Sequence, residues 1–124
     1  MARILVVDPE HDVRSLIADL LANAGHEVHC AADGAEALTR LDESSAFDLL
    51  LSDLNMPAIE GIGLYWEIAS RWPHLISRLV YVAGTIDAGS TDYRILIEEE
   101  VSRVIKPFRP EHLLDVVART LARR

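Results

Sequence analysis

Short runs of apolar residues alternate along this chain with stretches in which apolar positions recur every three or four residues. The runs are Ile4–Val7, Val28–Ala31, Leu49–Leu51, Leu79–Val82 and Val104–Ile105. They lack the apolar–polar alternation of a half-wet sheet, so they read as strands covered on both faces. The stretches between them read as helices. Val13, Leu16, Ile17, Leu20, Leu21 and Ala24 form one apolar stripe that ends at Gly25, a residue type suited to closing a helix. A second pattern runs from Ala35 to Leu41 behind the Asp33-Gly34 turn, and a third carries Leu64, Tyr65, Ile68, Ala69 and Trp72 before Pro73 stops it. Asp92–Glu99 puts Tyr93, Leu96 and Ile97 on one side, after the loose stretch Gly84–Thr91. The last helix opens at Pro110 and lines up Leu113, Leu114, Val117, Ala118 and Leu121. Arg119, Arg123 and Arg124 suit its negative C-terminal end.

Five strand–helix units in strict alternation predict an α/β fold: a single doubly wound (βα)5 domain over residues 1–124, with right-handed crossovers and helices on both faces of a parallel sheet. In such a sheet ligands bind beyond the carboxyl ends of the strands, where the strand order reverses. The residues just past each strand therefore carry the candidate chemistry. They are Asp8, Pro9 and Glu10 after the first strand, Asp53 and Asn55-Met56-Pro57 after the third, and Lys106-Pro107 after the fifth. In the order 2-1-3-4-5 the first and third strands are neighbours about 4.8 Å apart, which brings Asp8 and Asp53 together.

Two ionised carboxylates that close raise each other's pKa unless a cation or proton intervenes. A site of carboxylates and a carbonyl suits a hard divalent cation, and Mg²⁺ is commonly held by only one or two carboxylates plus a phosphate. A carboxylate beside a metal and a lysine can act as the nucleophile in phosphoryl transfer, and Asp53 is assigned that part. Each acid taken alone reads more simply as a helix cap or turn residue; the rim lysine Lys106 is what favours the chemical reading.

Charge and cysteine content narrow the partners. Twenty Asp and Glu against twelve Lys and Arg give a net charge of −8, a field that repels nucleic acid and anionic membrane. No apolar run approaches the roughly 20 residues that span a bilayer. Cys30 is the only cysteine, so an intramolecular disulfide and a thiolate metal cluster are excluded, and a reducing, cytoplasmic setting is expected.

Taken together, Ile4-Leu5-Val6-Val7-Asp8, the stretch Asp48-Leu49-Leu50-Leu51-Ser52-Asp53-Leu54-Asn55-Met56-Pro57 followed by Gly61, and Lys106-Pro107-Phe108 resemble the receiver domain of two-component response regulators. The resemblance covers essentially the whole chain. It implies the flavodoxin-like fold with strand order 2-1-3-4-5, and a regulatory phosphoacceptor rather than an enzyme. It casts Asp53 as the phosphorylated aspartate, Asp8 as an acidic-pocket residue contacting Mg²⁺ through water, the Asn55 main-chain carbonyl as a metal ligand and Lys106 as the phosphate partner. The Lys106-Pro107 bond is similar to one that is cis in the family. A histidine kinase or phosphotransfer protein is the implied donor, and a downstream protein is expected at the face of the fourth helix, fifth strand and fifth helix.

Three positions depart from the family's pattern. Pro9 stands where a second acid usually ligates the metal, and Glu10 follows it as a substitute candidate. Ala83 stands where a Thr or Ser hydroxyl usually meets the phosphoryl group; Thr85, two residues on, would need a local rearrangement to replace it. Arg103 stands where Tyr or Phe often switches rotamer, within reach of acids such as Glu98, Glu99 and Glu100. These departures favour an alternative in which a degenerate pseudo-receiver binds partners without phosphorylation.

Other candidates read blandly. His26 and His29 sit at i and i+3 on a turn entering a strand, so they face opposite sides and do not form a zinc site. Gly84–Ser90 lacks the Lys-Ser/Thr of a phosphate-binding loop. Trp66, Trp72 and Cys30 read as packing residues, and Glu98-Glu99-Glu100 as a solvated face.

Overall fold

A computed structural model describes residues 1–44, 46–55, 61–84 and 89–123. Every expected strand and helix is present: β1 (Arg3–Val7), α1 (His11–Asn23), β2 (Glu27–Ala31), α2 (Gly34–Glu43), β3 (Leu49–Asp53), α3 (Gly61–Arg71), β4 (Leu79–Gly84), α4 (Thr91–Glu98), β5 (Ser102–Lys106) and α5 (Pro110–Leu121). The five strands are all parallel, in the order β2-β1-β3-β4-β5, as the alternating pattern implied. Among the described residues no helix is long and apolar enough to cross a membrane.

The pleat sorts the core into two layers. Leu5, Val7, Leu50, Leu79, Tyr81 and Ala83 face α2, α3 and α4, where they meet Leu41, Leu64, Ile68 and Leu96. Ile4, Val6, Leu49, Leu51, Val80, Val82 and Val104 face α1 and α5, against Ile17, Leu21, Leu113 and Val117. Burial on both faces is why the central strands read as continuous apolar runs, and each buried Leu, Ile or Val side chain contributes about 1.5–3 kcal/mol of transfer free energy.

The helix ends follow local chemistry. Asp33 caps α2 by accepting from the Glu36 amide at 2.8 Å, while the Glu36 carboxylate accepts from the Ala32 amide at 3.0 Å. Gly25 closes α1 at φ 94°, with the His26 amide reaching back to the Leu21 carbonyl at 3.1 Å. That is the left-handed closure expected of glycine. Glu100 closes α4 in the same way at φ 56°, with the Val101 amide bonded to the Leu96 carbonyl at 2.9 Å.

Three features differ from expectation. The ladder runs through Asp53 and Lys106, which pair with Val82 and Gly84, so both are final strand residues rather than first loop residues. Backbone pairing is indifferent to the polar side chains that ended the apolar runs. The segment Pro73–Arg78 forms a 3-10 helix, started by proline and a Leu75 amide bond to the Trp72 carbonyl at 2.9 Å, and it buries Leu75. Trp66 is 50% exposed; it lies off the Leu64, Tyr65 and Ile68 stripe, edge-on to the Tyr65 ring at 4.9 Å.

Candidate functional site

Strand pleat brings the rim residues together. Along β1, positions 4 and 6 face the α1 and α5 layer; so do 49 and 51 of β3 and 104 of β5. Counting on by two places Asp8, Asp53 and Lys106 on that same side of the sheet. The β1–β3 register pairs Val7 with Ser52, which sets Asp8 level with Asp53. The fold thus gathers three charged residues separated by tens of positions in sequence.

Asp53 is 6% exposed, and the Lys106 ammonium donates to its Oδ1 at 3.2 Å. Burial pushes the Asp53 carboxyl above its ordinary value of 3.8, while the Lys106 charge and the amides of Asn55 and Leu54 pull it back. Asp8 is 2% exposed. Its Oδ1 accepts from the Glu10 amide at 2.8 Å and its carbonyl from the Arg14 guanidinium at 2.7 Å. Burial also raises the Asp8 carboxyl, the Glu10 amide opposes that shift, and the nearby Asp53 charge adds to it.

The second Asp8 oxygen, Oδ2, is buried with no hydrogen-bond partner. A buried carboxylate oxygen left unpaired beside another carboxylate is costly. A divalent cation answers that deficit in charge and in coordination, so Asp8, Asp53 and the main chain at Asn55 fit a hard metal by donor chemistry. The fit is partial. Pro9 is exposed and has no carboxylate, and Glu10 is exposed, its side chain affecting Asp8 only as the weakest of several influences. Among the described residues no group of three or more His, Cys, Asp or Glu converges.

The switch positions lie across the sheet. Ala83 is fully buried in the layer with Tyr81 and Leu54, on the opposite pleat from Asp53. Arg103 does not pair with Glu98, Glu99 or Glu100 in any ion pair among the described residues. Its guanidinium donates to the Val101 carbonyl at 3.2 Å and lies 5.7 Å from the Tyr93 ring centre, because the exposed glutamates leave the half-buried arginine next to an aromatic face. Met56 and Pro57 of the rim motif, and Thr85, lie outside the described residues. The Lys106-Pro107 bond is cis. His26 Nδ1 accepts from the Ala2 amide at 3.1 Å, whereas His29 meets Glu27 at 2.9 Å, so the two histidines serve separate structural contacts.

The raised carboxyl values set a sign for pH dependence. Between 3.8 and the raised folded values, the folded state holds protons that the unfolded chain has released. Stability from these groups is therefore gained as pH falls through the folded values and is lacking at neutral pH. Asp8→Asn keeps an oxygen for the Glu10 amide and removes the unpaired charge. At pH 7 the variant should melt about 4 °C higher, on the order of 1 kcal/mol, and the advantage should shrink towards pH 4. Thermal melts followed by circular dichroism across that range check it; a lower melting point at neutral pH would refute it.

Residues 4–118 match the family model described as the response regulator receiver domain. The response regulator protein FleR of Pseudomonas aeruginosa is 36% identical over 118 residues, covering 95% of this chain and 24% of that protein. The sensor histidine kinase RcsC of Salmonella typhimurium is 34% identical over 120 residues, covering 96% of this chain and 12% of that protein. The chain spans about half or less of the length of the curated relatives it matches. The crystal structure of the receiver domain of NtrX from Brucella abortus superposes with a TM-score of 0.87 at 30% identity, covering 98% of this chain and 99% of that one. With strand order and a match over nearly its full length in agreement, this chain belongs to the family of response regulator receiver domains of two-component systems.

Proposed function

We propose that the chain is a phosphoacceptor module of a phosphorelay, phosphorylated on Asp53 by a histidine kinase or phosphotransfer protein. The observation that carries this reading is a buried aspartate held at 3.2 Å by a lysine, beside a second buried carboxylate with one unpartnered oxygen. An oxygen of the Asp53 carboxylate attacks phosphorus of the donor phosphohistidine. The O–P bond forms as the N–P bond breaks, and the electron pair leaves with the donor imidazole, which takes up a proton.

Lys106 holds the carboxylate in place and neutralises charge on the incoming phosphoryl oxygens. Asp8, Asp53 and the Asn55 carbonyl would hold Mg²⁺, which supplies charge neutralisation at the phosphoryl oxygens when bound. The role is regulatory, with at most Mg²⁺-dependent self-phosphorylation and dephosphorylation, in the cytoplasm. Incubation with acetyl phosphate and Mg²⁺, read by intact mass, tests the assignment.

The missing acid at position 9 makes a separate forecast. Pro9→Asp supplies a carboxylate beside the pair and should tighten Mg²⁺ binding about tenfold, or ~1.4 kcal/mol. A Mg²⁺ titration read by isothermal calorimetry checks this; unchanged affinity would show that position 9 does not reach the cation.

A second reading is favoured by Ala83, which is fully buried and offers no hydroxyl. In that reading the fold is a pseudo-receiver that binds partners without phosphorylation. It requires partner affinity to be indifferent to Asp53→Asn and to chelators, so the same variant separates the two.

A further inference from the structure

We propose that the groove between the outer edge of β5 and α5 binds an extended acidic segment of a partner protein, added alongside β5 as a further strand. The proposal deepens the phosphoacceptor reading: it rests on that reading for the surface's role in output, and on the groove alone for the partner's chemistry.

The groove has a volume of about 800 Å³, within the range of ligand sites on proteins. Its charged lining is Arg103, Arg109, Arg119 and Arg123, with His112 between them, and among the described residues no carboxylate lines it. Four of the chain's twelve lysines and arginines thus gather on one surface of a chain whose net charge is −8. The clustering follows from the helix period. Arg109, His112, Val116 and Arg119 fall at i, i+3, i+7 and i+10, one stripe along α5 and its N-terminal flank, and Arg123 lies just past the helix's C-terminal end. Arg119 also meets Asp115 at 2.6 Å, but the two side chains are 69% and 58% exposed, and an exposed pair of this kind is exchanged for a better partner at little cost.

The other wall is backbone. Among the described residues β5 pairs only with β4 and is an edge of the sheet. Its burial is partial where that of β3 is complete. An unpaired strand edge is a template for an incoming strand, whose main chain gives affinity and whose alternate side chains give specificity. Ile105 and Phe108 add apolar contacts to the lining, and the arginines supply forked donors that match carboxylates. A nucleic acid strand fits less well, because the −8 field of the whole chain opposes a long polyanion.

The test uses the full chain and a fluorescent peptide of alternating Glu and Val, followed by anisotropy. Binding is expected to weaken with added salt and to fall at least about tenfold in the exposed double variant Arg109→Glu, Arg123→Glu. Hydrogen exchange at the β5 amides should slow on binding. Equal binding of the same peptide with Lys for Glu, of a proline-interrupted version, or tighter binding of single-stranded DNA of equal charge would overturn the proposal, as would indifference to charge reversal. Phosphoryl uptake is measured on the same samples. Uptake without peptide binding sinks the groove alone; peptide binding without uptake sinks the phosphoacceptor reading alone.

Discussion

Asp53→Asn should gain no mass from acetyl phosphate and Mg²⁺ under conditions in which the unaltered chain gains about 80 Da. The substitution keeps the size and shape of the side chain and removes the anionic oxygen that attacks phosphorus; an amide oxygen is too weak a nucleophile to replace it. The fold is expected to survive. Asp53 lies at the end of β3, where backbone pairing to Val82 does not involve the side chain. Lys106, relieved of its partner, retains a side chain 32% exposed to solvent. A folded but inert variant, confirmed by circular dichroism, is therefore the expected result. Full mass gain in the variant would move the acceptor elsewhere, and no gain in the unaltered chain would favour the pseudo-receiver reading.

Leu50→Ala should cost about 2–5 kcal/mol, a large share of the roughly 5–15 kcal/mol that holds a domain of this size together. Leu50 is fully buried in β3, flanked in register by Leu5 of β1 and Leu79 of β4. It faces the layer of α2, α3 and α4, where strands fixed by their ladders collapse poorly around a cavity. The melting point should fall by about 10 °C. Leu16→Ala is the matched control: Leu16 is 53% exposed, and its change should stay near 0.5 kcal/mol. Urea denaturation of both variants measures the contrast. A loss below about 1 kcal/mol at Leu50 would mean that this layer is loosely packed.

The alternation of apolar runs and helical stripes is enough to predict the number, type and order of the elements, because the central runs are buried on both faces, the edge runs are partly buried, and each stripe packs on one side. The convergence of Asp8, Asp53 and Lys106 is legible for the same reason: strand order and pleat parity place them. What escapes the sequence is not periodic. Pro73–Arg78 buries Leu75 in a six-residue 3-10 helix, too short for a 3.6-residue pattern to register. Arg103 has acids within reach along the chain and lies instead over Tyr93, a choice set by partial burial rather than by charge. The basic groove is hidden in the total of −8 because its members come from β5, a loop and α5. Only the i, i+3, i+7 spacing along α5 marks it.

Asp8 holds the Glu10 amide with one oxygen and leaves the other unpartnered. The turn-residue reading and the cation-site reading of this acid are therefore not rivals, since they fall on different atoms of one side chain. Asparagine would preserve the turn and lose the charge; glutamate would preserve the charge and, one methylene longer, lose the turn. If selection acts on both, the tolerated alphabet at this position narrows to a single letter, even though neither role alone demands it.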